Sequence, residues 1–119
     1  MTTIGSLLVA LVAILHVLFL FVEMFLWTSP GVRKRFGMTE EFANASKALA
    51  ANQGLYNGFL AAGLVWSLFA VENAFALKVF FLTCVIIAGA YGAATAKTSI
   101  LYVQALPAAV AFLFVWLGR

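Results

Sequence analysis

Four long apolar stretches alternate with short polar segments along the chain. In the first stretch, residues 4–27, the apolar run is interrupted only by Ser6, His16 and Glu23. A helix of that length extends about 36 Å, which is enough to cross a hydrocarbon core about 30 Å thick. A cleaved signal peptide would have a basic start and a shorter apolar segment, so the stretch predicts a membrane helix instead.

The other stretches predict three more membrane spans, at residues 48–71, 75–95 and 100–117. A polar loop with an Arg-Lys-Arg run at 33–35 precedes the second span. Thr39 is suited to cap a helix that begins on the cytoplasmic side, before the membrane, and Pro107 is expected to kink the fourth span. Short turns join the later spans and force neighbouring helices to lie antiparallel. The predicted fold is therefore all-α, an integral membrane four-helix bundle of up-down-up-down topology, in a single transmembrane domain over residues 1–119.

The composition agrees with a chain that lies in a lipid bilayer. Hydrophobic residues make up 66% of the sequence and charged residues 9%, whereas soluble domains have about 45–50% and about 25%. Such a chain cannot cover a water-facing surface. A single cysteine excludes a disulfide scaffold, and a net charge of only +3 without a basic, aromatic-rich face argues against nucleic-acid binding.

Basic residues are distributed unequally between the two predicted sides of the membrane. The first loop, the protruding start of the second helix and the turn near Lys97 share five Lys or Arg residues, whereas the side of the two termini has two. Because cytoplasmic loops are enriched in Lys and Arg, we expect the loop to be cytoplasmic and both termini to lie outside. The expected location is the bacterial inner membrane, as a multi-pass protein.

The first predicted span contains ionisable residues at membrane depth, where a charged side chain costs roughly 2.5–3.5 kcal/mol on insertion scales. His16 and Glu23 are seven residues apart. They therefore lie within about 20° of each other on one helical face, which Trp27 continues. Because an ionisable residue within a span indicates a functional site, Glu23 is predicted to be the centre of a pocket.

Polar residues in the other three spans are predicted to lie in the same half of the membrane as Glu23. The helical rise places them, together with His16 and Glu23, roughly 6–17 Å from the cytoplasmic ends of their spans. An apolar pocket with a few convergent polar groups is typical of small-molecule sites. The sequence therefore predicts a small-molecule binder or transporter whose ligand-binding residues are His16, Glu23, Trp27, Asn52, Gln53, Tyr56, Asn57, Tyr91 and Gln104.

A structural or accessory role for the same polar residues is the main alternative. Asn, Gln, Tyr and His often connect helices within membrane bundles, at about 0.6 kcal/mol each. Gly54, Gly58 and Ala62 form a separate stripe on the second helix that allows close packing. We expect this stripe to pack within the chain, with a homodimer interface as the alternative.

No catalytic arrangement is indicated by the sequence, so an enzyme is not the favoured interpretation. One His, one Cys and one intramembrane Glu cannot supply the three or four ligands of a zinc site. Ser, His and acid are not arranged as a nucleophilic relay. Binding of haem or quinone through His16 is a third hypothesis, because haem iron takes an axial His ligand. We therefore predict no catalytic residues and no metal ligands, and the cofactor, if there is one, is not identified.

The motifs of this chain resemble those of one family of small bacterial membrane proteins. The shared features, in order, are His16, Glu23 and Trp27, the block Asn-Gln-Gly-Leu-Tyr-Asn-Gly-Phe-Leu-Ala at 52–61, the block Ala-Gly-Ala-Tyr-Gly-Ala at 88–93 with Thr95, and Gln104 with Pro107 and Ala108. They resemble the family catalogued as domain of unknown function number thirteen hundred and four. The resemblance covers nearly the whole chain and implies a four-helix membrane protein of about this length, without implying a reaction.

Overall fold

The computed structural model describes residues 2–96 and 99–119, and its regular secondary structure there is entirely helical. The elements are α1 (Thr2–Phe25), α2 (Pro30–Phe36), α3 (Glu40–Phe69), α4 (Ala74–Thr95), a π-helical turn (Leu101–Ala105) and α5 (Leu106–Leu117). The all-α prediction is therefore confirmed for this part of the chain. The third turn was predicted at residues 97–99. Lys97 and Thr98 lie outside the described residues, whereas Ser99 is helical, so the prediction was wrong at that position.

Two of the helices are long and apolar enough to cross a membrane. They are Thr3–Phe25 of α1 and Ala74–Thr95 of α4, and a shorter apolar helix covers Leu101–Leu117. The second predicted span, residues 48–71, lies largely within α3 and is not among these helices. Amide side chains at 52, 53 and 57 lower the mean hydropathy of that segment.

The chain divides into two compact units, which are described separately. The central unit is Leu15–Phe59, and the terminal unit comprises the start of α1 up to Ile14 and the chain from Leu60 onward. The hydrophobic core of the terminal unit is formed by Val9, Val12, Ala13, Leu64, Leu82, Val85, Ala108, Ala111 and Val115. Many of these side chains are small, which lets helix backbones approach closely.

A π-helical turn precedes α5, at the place where the sequence predicts a kink, and residues 99 and 100 before it are already helical. The Leu106 N–H donates to the Leu101 carbonyl, five residues back, and Pro107 follows directly. Pro107 has no N–H to donate, so the predicted irregularity takes the form of a π turn just before it. α4 lies close to this turn, because a Cβ at Gly89 would be only 2.6 Å from the Ala105 nitrogen.

In the central unit, α1 and α3 pack against each other through glycines. A Cβ at Gly54 would lie 2.7 Å from Met24 Cγ, and one at Gly58 would lie 2.7 Å from Leu20 Cδ1. From Gly54 to Gly58 along α3, the contacted residue of α1 moves back from Met24 to Leu20. The two segments therefore run antiparallel. Both glycines thus pack within the chain, as expected, whereas Ala62, the last residue of the predicted stripe, is exposed.

The segment predicted as a polar loop contains a short helix, so the loop prediction was wrong there. Ser29 caps the start of α2 by accepting from the Val32 N–H, Pro30 is its first residue, and Gly37 ends it with a φ of 66°. Ser at the cap, Pro at the first position and Gly just past the end form a recognised helix signature. The signal was therefore present in the sequence, although the segment has only seven helical residues.

The start of α3 follows the sequence prediction closely. Thr39 Oγ1 accepts a hydrogen bond of 3.1 Å from the Phe42 N–H, which confirms Thr39 as the cap of a helix that begins at Glu40. The helix ends at Phe69, two residues before the predicted end of the span. The turn that follows contains Asn73 with a φ of 62°, a conformation that Asn tolerates better than most residues.

Candidate functional site

The side chains of Glu23 and Asn57 meet inside the central unit. Asn57 Nδ2 donates to Glu23 Oε1 over 2.5 Å, between α1 and α3. Asn57 is only 5% exposed and Glu23 is partly buried. Two polar residues separated by 34 positions in the chain are thereby joined by a hydrogen bond between two helices.

The pairing follows from the face of α3 that packs on α1. Ala43, Ala50 and Asn57 are buried at seven-residue intervals, which places them on one stripe of the helix. Gly54 lies beside this stripe, and a Cβ there would be 3.1 Å from Glu23 Cβ. Because the glycine has no side chain, α1 approaches closely enough for the Asn57 amide to reach the carboxyl group.

A second polar link lies nearer the end of α1. Trp27 Nε1 donates to Ser46 Oγ over 3.0 Å, and Ser46 Oγ donates to the Phe42 carbonyl over 2.7 Å. The Trp27 ring also lies 5.9 Å from the Phe36 ring, centroid to centroid. The indole therefore connects the chain after α1 with both α2 and α3. Sequence analysis missed Ser46, although a buried indole N–H usually requires an acceptor.

His16 is fully buried, one heptad before Glu23 on α1. Its ring makes an edge-to-face contact with Phe19, with 5.1 Å between centroids. Among the described residues, no group of three or more His, Cys, Asp or Glu side chains could hold a metal ion. His16 is thus enclosed by protein on the helix that carries Glu23.

The remaining predicted site residues do not share this burial. Asn52, Gln53 and Tyr56 are exposed on α3. Relative to Asn52 at 0°, Gln53 and Tyr56 lie at 100° and 40° around the helix, whereas Asn57 lies at 140° and is the one nearest to the packed face. Their participation in a site with Glu23 stays a prediction.

Two predicted site residues belong to the terminal unit. Tyr91 is 71% exposed on α4, and Gln104 is partly buried within the π-helical turn. Their convergence with Glu23 also stays a prediction. The terminal unit has a shallow apolar groove on α5, lined by Ala109, Phe112, Leu113 and Trp116, which includes none of the predicted site residues.

The Glu23 carboxyl group keeps capacity for a further partner. A carboxylate has two oxygens and about four acceptor sites, and the Asn57 amide uses one of them. Within the described part of the chain, no Lys or Arg side chain forms an ion pair with Glu23. The arrangement is therefore a positioned acid on an apolar helix that can accept a cation or another hydrogen-bond donor.

Comparisons with known proteins identify one family. A family model described as "Protein of unknown function (DUF1304)" matches residues 10–116, which is most of the chain. No curated protein and no solved structure matches the chain.

Proposed function

The chain belongs to the DUF1304 family, and we propose that it is a multi-pass membrane protein that binds a small cationic molecule at Glu23. The proposal has two parts, membrane integration and ligand binding, which have separate support. The proposed location is the bacterial inner membrane. The binding site is centred on the Glu23–Asn57 pair.

Membrane integration is supported by how little of the apolar helices the protein itself covers. Only 28% of the most apolar window in α1 and 17% of that in α4 is buried. A core helix of a soluble protein would have most of its apolar surface covered. Large side chains such as Leu7, Leu49 and Phe80 are more than half exposed instead, as expected for contact with lipid.

Four antiparallel spans account best for the remaining helices. Leu101–Leu117 is apolar and 17 residues long, the lower limit for a span, and the second half of α3 is the fourth candidate. The polar residues of α3 would then face protein or a polar cavity, because lipid cannot satisfy them. The excess of Lys and Arg near α2 favours a cytoplasmic position for that region and an outside position for both termini.

One observation carries the ligand-binding part: the partly buried Glu23 carboxyl group is held by Asn57 and has no Lys or Arg partner among the described residues. Ionisable residues within membrane helices are costly and mark ligand, ion or proton sites. An acid in apolar surroundings is complementary to a ligand that combines positive charge with apolar surface. A lipophilic cation is therefore the substrate class that we propose.

The test is binding of tetraphenylphosphonium, a lipophilic cation, to the purified full-length protein in detergent. We expect saturable binding to the wild type and at least a tenfold weaker affinity in Glu23→Gln, measured by isothermal titration calorimetry. Glu41→Gln, which removes an exposed acid of α3, is the matched control and should bind like the wild type. Absence of binding to the wild type, or equal binding by Glu23→Gln, would contradict the proposal.

A structural or accessory role is the second candidate, and the buried stripe Ala43, Ala50 and Asn57 favours it. A single buried Asn in such a stripe can fix the register of two packed helices. In that case Asn57→Ala should lower the thermal stability strongly, while no variant of Glu23 changes the affinity for tetraphenylphosphonium. Because both candidates predict a loss of stability in Asn57→Ala, they are separated by whether Glu23→Gln changes the affinity for tetraphenylphosphonium.

A further inference from the structure

α2 places three consecutive basic residues directly after the first apolar helix. We propose that α2, with Arg33, Lys34 and Arg35, binds the phosphate groups of anionic phospholipids. The inference uses the membrane integration of α1 proposed above, and it is independent of ligand binding at Glu23. It assigns a lipid-binding surface to a segment that the site at Glu23 does not use.

The position of α2 along the chain determines where it lies relative to the bilayer. The candidate span in α1 ends at Phe25, and α2 begins at Pro30, so four residues separate them. The connection is not extended, because the Ser29 N–H donates to the Leu26 carbonyl over 3.0 Å. If α1 crosses the bilayer, α2 must therefore lie at the level of the lipid headgroups.

Aromatic contacts hold α2 at that level. Trp27 and Phe36 flank the basic run, and their rings lie 5.9 Å apart. The Trp27 indole is fixed by its hydrogen bond to Ser46 on α3. Trp is enriched at membrane–water interfaces, where its ring sits among headgroups. The basic residues are thus carried by a segment that is anchored at both ends of the run.

The three basic side chains are arranged around an apolar face of α2. Val32 and Phe36 are four residues apart and share one face. At 100° per residue, Arg33 and Arg35 lie about 80° to either side of that face, and Lys34 lies opposite. A helix lying on the bilayer with its apolar face inward would direct both arginines along the headgroup layer.

The polar groups of α2 remain available for phosphate. Arg33 Nε donates to the Thr28 carbonyl over 3.2 Å, which orients the guanidinium and leaves its terminal nitrogens for another acceptor. Lys34 and Arg35 are exposed, and neither forms an ion pair with a carboxylate in the described parts of the chain. The helix is capped by Ser29 and Gly37, so the backbone that carries the three cations has a fixed conformation.

The test compares lipid retention by the purified full-length protein, using native mass spectrometry with dioleoyl phosphatidylglycerol and dioleoyl phosphatidylcholine as probes. We expect the wild type to retain phosphatidylglycerol selectively. Two basic residues near a membrane surface contribute about 1 kcal/mol each, so Lys34→Gln combined with Arg35→Gln should weaken retention roughly 30-fold. Lys78→Gln combined with Arg119→Gln makes the same charge change elsewhere and should retain the lipid like the wild type.

Each other result overturns the proposal. Equal retention of both lipids by the wild type would show no preference for anionic headgroups. Equal losses in the two double variants would show a general charge effect. Displacement of phosphatidylglycerol by inorganic phosphate, but not by sodium chloride of equal ionic strength, would show a free-phosphate site.

Two further measurements separate this inference from the proposed function. Alkaline extraction of cell membranes tests integration of the wild type and of the Lys34/Arg35 double variant. Tetraphenylphosphonium binding by that variant tests the Glu23 site, and it should equal that of the wild type. Failure of the Glu23 proposal would leave the lipid selectivity unchanged. Loss of the lipid selectivity would leave cation binding unchanged.

Discussion

At the scale of single residues, Glu23 and Asn57 illustrate how an acid can be accommodated on an apolar helix. Burial of a carboxyl group is costly unless its oxygens meet donors, and the Asn57 amide supplies one. Helical arithmetic on the sequence identified both residues as candidates. It did not identify the pair. The pairing depends on which face of α3 packs on α1, and the periodicity of one sequence does not determine how α3 is rotated about its axis. Asn52 and Gln53 carry the same chemical signal and are exposed.

Asn57→Ala is expected to lower the free energy of unfolding by about 1–3 kcal/mol, because it leaves the partly buried Glu23 oxygen without its donor. The measurement is thermal unfolding of the purified protein in detergent. Asn44→Ala makes the same change at an exposed position of α3 and should have a much smaller effect. Equal shifts in the two variants would contradict a specific role for the Asn57–Glu23 hydrogen bond.

The hydrogen bond between Trp27 and Ser46 is testable with a double-mutant cycle. Trp27→Phe keeps an aromatic ring and removes the N–H, and Ser46→Ala removes the acceptor. We expect a coupling free energy of about 0.5–1.5 kcal/mol between the two substitutions. Additive effects on the free energy of unfolding would show that the two side chains do not interact in solution.

At the scale of helices, apolar runs predicted the long elements well. The bounds of α1 and α4 lie within two residues of the predicted spans, because long apolar stretches have few alternatives to a helix. α2 was missed, since it has only seven residues, three of them basic, and only its caps identify it. The sequence predicted an irregular helix at Pro107 but not a π-helical turn. A proline does not specify which N–H groups donate to the neighbouring carbonyls.

Close packing of α4 on the π-helical turn predicts a position-specific effect of added methyl groups. A Cβ at Gly89 would meet backbone atoms of Ala105, at 2.6 Å and 2.9 Å, whereas a Cβ at Gly58 would meet a flexible Leu20 side chain at 2.7 Å. Gly89→Ala should therefore destabilise by about 1–3 kcal/mol, because backbone cannot move aside cheaply.

Gly58→Ala is the matched control in the same thermal unfolding experiment. It should be close to neutral or stabilising by up to about 1 kcal/mol, because alanine favours a helix over glycine. A larger loss of stability in Gly58→Ala than in Gly89→Ala would contradict the packing of α4 described above.

At the scale of the whole molecule, the distribution of Lys and Arg predicts the orientation in the membrane. We expect alkaline phosphatase fused after Arg119 to be active, because this enzyme requires the oxidising environment outside the cytoplasm. The same fusion after Gly37 should be inactive. The opposite pattern would place the α2 region outside and would contradict the predicted orientation.

The π-helical turn at Leu101–Ala105 has a consequence for chain length. A turn of this kind accommodates one residue more than a regular α-helix of the same extent. The buried face of α5, with Ala108, Ala111 and Val115, keeps its direction because that surplus residue is absorbed before Pro107. We therefore expect that deletion of one residue at 101–105 would convert the turn to a regular α-helix and leave the same small side chains facing the core.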